Sequence, residues 1–163
     1  MPVMQALFPE FFWRITEDDR IIWGYSTRYE LQILDSGGRL LRRITKVYDP
    51  VLLTEKDKEE RMNFLFGGVT IPGGLTLEWP EHNWAFGDLS QDEKGRLFLQ
   101  TFEKTSDGKW YFYDVFDREG KFIAKIPLPS RPQTWKNEKL YLIEENEDGY
   151  HYVKRCGVTW MLN

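Results

Sequence analysis

One pattern of strands and tight turns occurs three times in this chain, at residues 19–44, 95–126 and 139–154. In the first two copies a Tyr is followed by an Asp six residues later, and that Asp by an Ile nine residues later. The runs between these positions are rich in β-branched residues, aromatic residues and Leu, which favour strands. Because repeated units of this kind stack on one another to bury their apolar faces, the pattern predicts an all-β array of about three antiparallel units.

The turns between the strands share a motif in which Gly follows Asp, or once Asn, three residues later. The motif occurs at residues 35–38, 92–95, 117–120 and 146–149. An Asp at the first position of a turn accepts backbone N–H groups, and Gly at the fourth position tolerates positive φ. We therefore interpret these acids as turn residues and not as calcium ligands, and we expect Gly38 and Gly120 to hold tight turn positions.

The strands of the second copy are apolar on both faces. Leu97 and Leu99 point to one side, whereas Phe98 and Phe102 point to the other. A sheet with one face in water instead alternates apolar and polar residues. The second copy is therefore predicted to lie between two neighbouring sheets.

One short helix interrupts the repeat, within an insertion at about 49–88. Thr54 and Asp57 have the spacing of a capping box, which predicts a helix over 55–66 that ends at the following glycines. Asp57 and Arg61 are also spaced for an ion pair on one helix face. The apolar residues of this segment fall only near its C-terminal end, so we expect the helix to lie on the surface and an irregular loop to follow it.

The distance from Leu97 to Leu140 is 43 residues, which is the length of one four-stranded propeller blade. This spacing divides a single domain, 1–163, into four parts. These are an N-terminal arm and first blade at 1–48, the inserted helix and loop at 49–88, a second blade at 89–129 and a C-terminal blade at 130–163.

The chain from Glu55 to Lys154 resembles the C-terminal end of bacterial six-bladed β-propellers of the NHL and TolB-like group. The residues that carry this resemblance are the charged helix at 55–61, the strand entry at 92–99, residues 113–117 with 120–121, and residues 139–141 with 148–150. The resemblance implies a partial β-propeller that serves as a binding scaffold, and it brings no catalytic motif. Six blades need roughly 240–270 residues, so only about three are present.

Charge and composition exclude several classes of function. A net charge of −4 and a pI of about 5.3 give no basic surface for nucleic acid. One Cys cannot form an intramolecular disulfide or a Cys-based zinc site, and the two His lie far apart, so no metal or other cofactor is predicted. No apolar run approaches 18 residues, and residues 1–12 lack the features of a signal peptide. We expect a soluble protein without a membrane partner, cytoplasmic by default, or exported if the chain is part of a longer precursor.

The insertion contains the candidate binding residues. Trp79 and Trp84 flank His82 there, which is typical of an aromatic platform for a sugar ring or a peptide. The same tryptophans could instead pin the loop to the body. No catalytic residue is predicted. The remaining tryptophans lie in or beside strands and are expected in the core, namely Trp13, Trp23, Trp110, Trp135 and Trp160.

Three functions are compatible with these patterns. The leading one is a non-enzymatic binding or assembly module, with a protein or a carbohydrate as candidate ligand. The second is a hydrolase that acts on a sugar or a peptide through carboxylates such as Glu81 or Asp88. The third is a small-ligand carrier built as an eight-stranded barrel, which the blade period and the helix disfavour.

An open arc of three blades leaves apolar faces at both ends, and such faces rarely persist on a monomer. Two copies related by a two-fold axis supply six blades and close a ring, and two-fold dimers are the commonest homo-oligomers. We therefore expect a homodimer. The rival is a curled monomer whose N-terminal arm and insertion cover the open faces.

Overall fold

The computed structural model describes residues 2–67 and 75–159, which form thirteen strands and one helix. The helix is α1 (Glu55–Phe66), between the fifth and sixth strands. In chain order the strands are β1 (Val3–Gln5), β2 (Phe11–Ile15), β3 (Ile21–Tyr25), β4 (Glu30–Leu34), β5 (Leu40–Thr45), β6 (Thr76–Glu78), β7 (Asp88–Gln91), β8 (Leu97–Lys104), β9 (Tyr111–Phe116), β10 (Phe122–Leu128), β11 (Pro132–Lys136), β12 (Lys139–Glu145) and β13 (His151–Gly157). The expectation of an all-β fold with one short helix is confirmed.

Three antiparallel sheets contain most of these strands, and each strand pairs with the next one in the chain. The first sheet has the order β2-β3-β4-β5, the second sheet β10-β9-β8-β7 and the third sheet β11-β12-β13. The strand β7 contacts both β2 and β11, so the leading strands of the three sheets lie side by side. A small fourth sheet pairs β1 with β6 in parallel. Within the described residues no sheet closes on itself, as a barrel requires.

Two apolar cores lie on opposite faces of the second sheet. Leu89, Leu97, Leu99 and Phe116 of that sheet pack against the first sheet, whose core residues are Phe12, Ile22, Leu31, Ile33 and Ile44. Phe98, Tyr113 and Val115 form the other core with Trp135, Leu140 and Leu142 of the third sheet. The second sheet is therefore buried on both faces, as the sequence predicts.

The four Asp–Gly and Asn–Gly turns have one geometry, which confirms the turn prediction. In each, the fourth residue donates its N–H to the carbonyl of the first at 2.9–3.0 Å, and the glycine φ is 76–83°. The side-chain oxygen of the first residue accepts N–H groups two and four residues later. The sequence motif does not predict two further turns, at residues 16–19 and 105–108. In the turn at 105–108, Thr105 stands in the place of Asp. In the turn at 16–19, Asp19 holds the positive φ of 56° that elsewhere belongs to Gly.

The helix α1 has the predicted bounds and caps. The Thr54 hydroxyl accepts the Asp57 N–H, the Asp57 carboxylate accepts the Thr54 N–H, and Gly67 ends the helix in the left-handed conformation. No residue of α1 is buried, so the helix lies on the surface. The predicted Asp57–Arg61 pair is replaced by other contacts. Asp57 pairs with Lys104 of β8, and Arg61 donates to a carbonyl of the N-terminal arm.

The N-terminal arm and the insertion meet in the small parallel sheet. The insertion was predicted to continue as an irregular loop after α1, but it contains β6 and an isolated bridge between His82 and Leu52. A pairing between residues 3–5 and 76–78 leaves no local signal in the sequence. The glycines at 68, 73 and 74 lie outside the described residues. No helix in the described chain has both the length and the apolar character needed to cross a membrane.

The expectation of core tryptophans is correct for one described position and wrong for three, because Trp23 is half-buried but lies beside Trp13 on the side of the first sheet opposite the core. Trp135 is buried and stacks on Phe98 with ring centroids 4.2 Å apart. Trp13 and Trp110, in contrast, are 52% and 42% exposed. Trp160 lies outside the described residues. The exposed Trp13 belongs to a larger apolar surface, because it lies on the side of the first sheet that faces away from the core.

Candidate functional site

The first sheet has a row of aromatic and aliphatic side chains on the face opposite its core. Three cross-strand pairs of β2 and β3 form this surface, here called the aromatic face. They are Phe11 with Tyr25, Trp13 with Trp23, and Ile15 with Ile21. Alternation along β2 puts Phe12 into the core and its neighbours outside, as expected for a strand. Four of the six residues are 49–62% exposed.

The rings of the aromatic face contact one another and form a continuous patch. The centroids of Phe11 and Tyr25 are 5.0 Å apart, and those of Phe11 and Trp23 are 5.7 Å apart. Both distances lie within the range of favourable aromatic pairs. A contiguous cluster of this kind marks an interaction surface more often than a solvated sheet face.

The third sheet also has an apolar strip on the face that points away from the second sheet. Ile143 of β12 and Val153 of β13 are directly paired and are 44% and 68% exposed. The next pair on the same face joins Tyr141 and Arg155. We call this strip the aliphatic face. The array of three sheets therefore ends in the aromatic face on one side and, on the other, in one exposed aliphatic pair flanked by Tyr141 with Arg155 and by Glu145 with His151.

A third candidate is a groove of about 310 Å³ between α1 and the body, here called the helix groove. Its aromatic lining residues are Phe8, Phe64, Trp84, Phe86, Phe102 and Tyr111. Its charged lining residues are Glu10, Asp57, Glu60 and Arg61. The insertion forms one wall of the groove. The N-terminal arm and the body of the sheets form the other wall.

Of the three predicted binding residues, Trp84 lies in the helix groove. Its indole Nε1 donates to the carbonyl of Phe8 at 3.0 Å, so it also ties the insertion to the N-terminal arm. Trp79 is half-buried after β6, and His82 is half-buried with Nδ1 3.9 Å from a carboxylate oxygen of Glu81. Neither Trp79 nor His82 lines the groove. A joint site of the three residues stays a prediction.

Buried carboxylates hold the three sheets together. Asp114 of β9 accepts the Tyr29 hydroxyl and the Lys46 ammonium group, the latter at 2.7 Å. Burial, and then the hydrogen bond to Asp114, raise the pKa of Tyr29 far above its usual value. Asp88 of β7 accepts Arg131 at 2.6 Å. The two partners of each contact belong to different sheets or to the residues that flank them. These acids therefore hold neighbouring sheets together.

The two carboxylates considered for hydrolysis lie in different surroundings. The Asp88 side chain is 0% exposed and is held by Arg131, with Arg14 at 3.8 Å, whereas Glu81 is exposed beside His82. A fully buried, ion-paired carboxylate does not touch a substrate in this conformation. Within residues 2–67 and 75–159, no three His, Cys, Asp or Glu side chains cluster so that they could hold a metal ion.

Several solved structures are similar to this chain, whereas two other comparisons found nothing. No protein-family model and no curated protein matches the chain. A solved structure of a protein of unknown function from Bacteroides caccae is similar to it with 12% sequence identity and a TM-score of 0.41. The match covers 89% of this chain and 44% of that chain, so this chain spans less than half the length of its neighbour.

Proposed function

We propose that this chain is a non-enzymatic binding and assembly module of three propeller-like blades, and that two copies join to close a six-bladed ring. One observation carries the proposal. The second sheet is covered on both faces by sheets of its own chain, whereas the first sheet leaves its aromatic face exposed. In the proposed arrangement the three sheets form an open arc, with the aromatic face at one end and the aliphatic face at the other.

The aromatic face has the composition of a protein interface. Cores of interfaces are enriched in Trp, Tyr and Phe, and all three residue types meet here. The N-terminal arm does not protect this face, because β1 pairs with β6 of the insertion. The rings stay about half exposed with the arm in place, which disfavours the curled monomer.

The proposed partner of the aromatic face is the aliphatic face of a second copy. The junction between the second and third sheets provides the precedent within the chain, because there the aromatic Phe98 and Trp135 pack with Leu140 and Leu142. Ile143 and Val153 offer the same kind of aliphatic surface on the outer side of the third sheet. A two-fold axis forms this contact twice and leaves no apolar end open.

The mass in solution tests the proposal, with light scattering over a wide range of concentrations as the method. We expect twice the chain mass of 19.5 kDa, falling to a single chain only at high dilution. Trp13→Glu introduces a charge into the aromatic face and should give a single-chain mass throughout. Val47→Glu is the matched control, because Val47 is 97% exposed and lies outside all strands. A single-chain mass that does not change with concentration would contradict the proposal.

A further inference from the structure

The helix groove has features that the assembly of the sheets does not explain. Its volume of about 310 Å³ lies at the lower end of the range for small-molecule sites, about 300–1,000 Å³. Aromatic side chains line it on several sides, and Phe102 and Tyr111 meet edge to face at 6.4 Å. A site of this size fits a small head group.

The wall formed by α1 is only lightly attached to the body. No residue of the helix is buried, and Phe64 is 78% exposed although it lines the groove. Among residues 2–67 and 75–159, two side-chain polar contacts link the helix to other elements. They are the Asp57–Lys104 pair at 2.9 Å and the hydrogen bond from Arg61 to the carbonyl of Ala6 at 3.2 Å. A helix held in this way can adjust to a ligand beneath it.

Rings at this groove already carry cations of the chain itself. The Arg61 guanidinium lies 5.2 Å from the ring centroid of Phe64, and the Lys104 ammonium lies 5.1 Å from that of Tyr111. Both distances fall within the reach of cation–π attraction, about 6 Å. The ring faces here are therefore oriented so that a positive charge can reach them.

The charged lining residues of the groove are predominantly acidic. The lining contains three acids, Glu10, Asp57 and Glu60, and one base, Arg61, and Lys104 lies beside it on Tyr111. Lys104 satisfies Asp57, and the cation paired with Glu60 is Lys56 at 3.9 Å, the limit of an ion pair. In the described part of the chain, Glu10 has no ion pair. Its charge acts on Arg131 from beyond ion-pair distance, so neither Glu10 nor Glu60 has a close cationic partner.

We propose that the helix groove binds a small organic ammonium ion, with a quaternary ammonium head group as the best fit. Aromatic faces and carboxylates act together on such an ion, because the rings stabilise the methyl-covered charge that the carboxylates attract. Glu10 and Glu60 would repel an anion, and a neutral ligand would gain no electrostatic attraction from them. Trp84 contributes the strongest ring for this purpose, and its bond to Phe8 fixes its orientation.

Choline and its neutral isostere 3,3-dimethyl-1-butanol are the probes that test this site, with calorimetric titration of the full chain as the measurement. The two molecules have the same shape and differ in charge, so apolar burial contributes equally to both. We expect choline to bind at least about tenfold more tightly than the isostere. Choline binding should also weaken as the salt concentration rises.

Three substitutions on α1, one of them a control, locate the site. Glu60→Gln removes a charge but keeps the shape, and should weaken choline binding about fivefold or more. Glu59→Gln is the matched control, because Glu59 is exposed on the same helix and does not line the groove; it should leave the affinity unchanged. Phe64→Ala, at an exposed position, should weaken choline binding without unfolding the chain.

Several outcomes would overturn the inference. They are equal affinity for choline and its isostere, tighter binding of a neutral hexose such as glucose than of choline, and no choline binding at millimolar concentration. An affinity that falls as much with Glu59→Gln as with Glu60→Gln would place the cation elsewhere on the helix. The solution mass is independent of these results, so failure here is distinguishable from failure of the ring closure.

Discussion

The first and second sheets are built alike but bury different fractions of their surfaces. Both are four-stranded meanders whose last two strands join through the same Asp–Gly turn, at residues 35–38 and 117–120. Neighbouring sheets cover both faces of the second sheet, whereas Phe11, Trp13 and Tyr25 of the first stay about half exposed. The architecture is the same, so the difference lies in which neighbours the chain supplies.

This comparison shows that apolar side chains on both faces of a sheet do not by themselves tell whether the same chain covers both faces. In β2 the outward positions are Phe11, Trp13 and Ile15, which are as apolar as the inward Phe12. A sheet with one solvated face would carry polar residues at those positions. Four predictions sharpen the comparison between the buried and the exposed faces.

The largest effect is expected in the core between the second and third sheets. Phe98 is fully buried against Trp135, so Phe98→Ala should cost about 3–5 kcal/mol in the free energy of unfolding. Trp13→Ala on the aromatic face should cost less than about 1 kcal/mol at concentrations where copies are separate. Urea denaturation measures both values. Equal losses would show that the two faces are equally buried in the single chain.

The second largest loss of stability is expected at Asp114, whose hydrogen bonds join the first and second sheets. Asp114→Ala leaves the Tyr29 hydroxyl and Lys46 without their acceptor, and should cost about 2–4 kcal/mol. The partial exposure of Lys46 places this value below that for a fully buried pair. Tyr29→Phe removes only one hydrogen bond and should cost about 1 kcal/mol. Urea denaturation of both variants would contradict the account if Asp114→Ala were no worse than Tyr29→Phe.

The two equivalent turns separate backbone strain from contact between sheets. Gly120 and Gly38 both have positive φ, so valine at either position should cost about 1–3 kcal/mol through strain. A Cβ on Gly120 would lie 2.8 Å from Ile44 of the first sheet, whereas a Cβ on Gly38 would meet nothing within 4 Å. Gly120→Val should therefore fall at the upper end of the range and Gly38→Val at the lower. A loss under 0.3 kcal/mol at Gly120 in thermal or urea unfolding would refute the turn interpretation.

The smallest effect concerns α1, which is tied to the second sheet through Lys104. Burial alone would raise the pKa of Asp57, but hydrogen bonds from Thr54 and Lys104 outweigh it and hold the pKa below its usual value. The carboxylate therefore stabilises the folded helix above about pH 4, and this contribution is lost as the pH falls through the lowered pKa. Asp57→Asn should cost about 0.5–2 kcal/mol, seen as faster amide exchange over α1.

Acidification provides the second half of that test. Exchange over α1 should speed up below about pH 4 in the natural sequence, after correction for intrinsic rates, and should be nearly insensitive to pH in Asp57→Asn. Glu59→Gln serves as the control, since Glu59 is exposed and is not part of the cap. An unchanged pH response in Asp57→Asn would assign the stabilisation to another group.

Features encoded by neighbouring residues were predictable from the sequence. The caps of α1 at Thr54 and Gly67 depend on residues within one turn of the helix, and the turns at Gly38 and Gly120 depend on four consecutive residues. The burial of both faces of β8 follows from its own residue pattern. Each of these is a local rule, so one sequence suffices to apply it.

Features that join distant segments were not predictable in this way. The pairing of β1 with β6 and the partners of Asp114 connect residues far apart in the chain. Trp84 was recognised as a candidate because it is an aromatic residue on an insertion, but the neighbours that define its groove come from the N-terminal arm and from β8. Trp13 is exposed because no other segment in the described part of the chain packs on its face, and no pattern within β2 could report this.

Cross-linking between two copies tests most directly whether the aromatic face meets the aliphatic face of a second copy. In a Cys156→Ser background, chains carrying Trp13→Cys are mixed with chains carrying Val153→Cys and treated with a short bismaleimide. We expect a covalent dimer in the mixture and little of it in either variant alone. Its absence from the mixture, or a dimer formed by the Trp13→Cys chain with itself, would contradict the proposed closure of the ring.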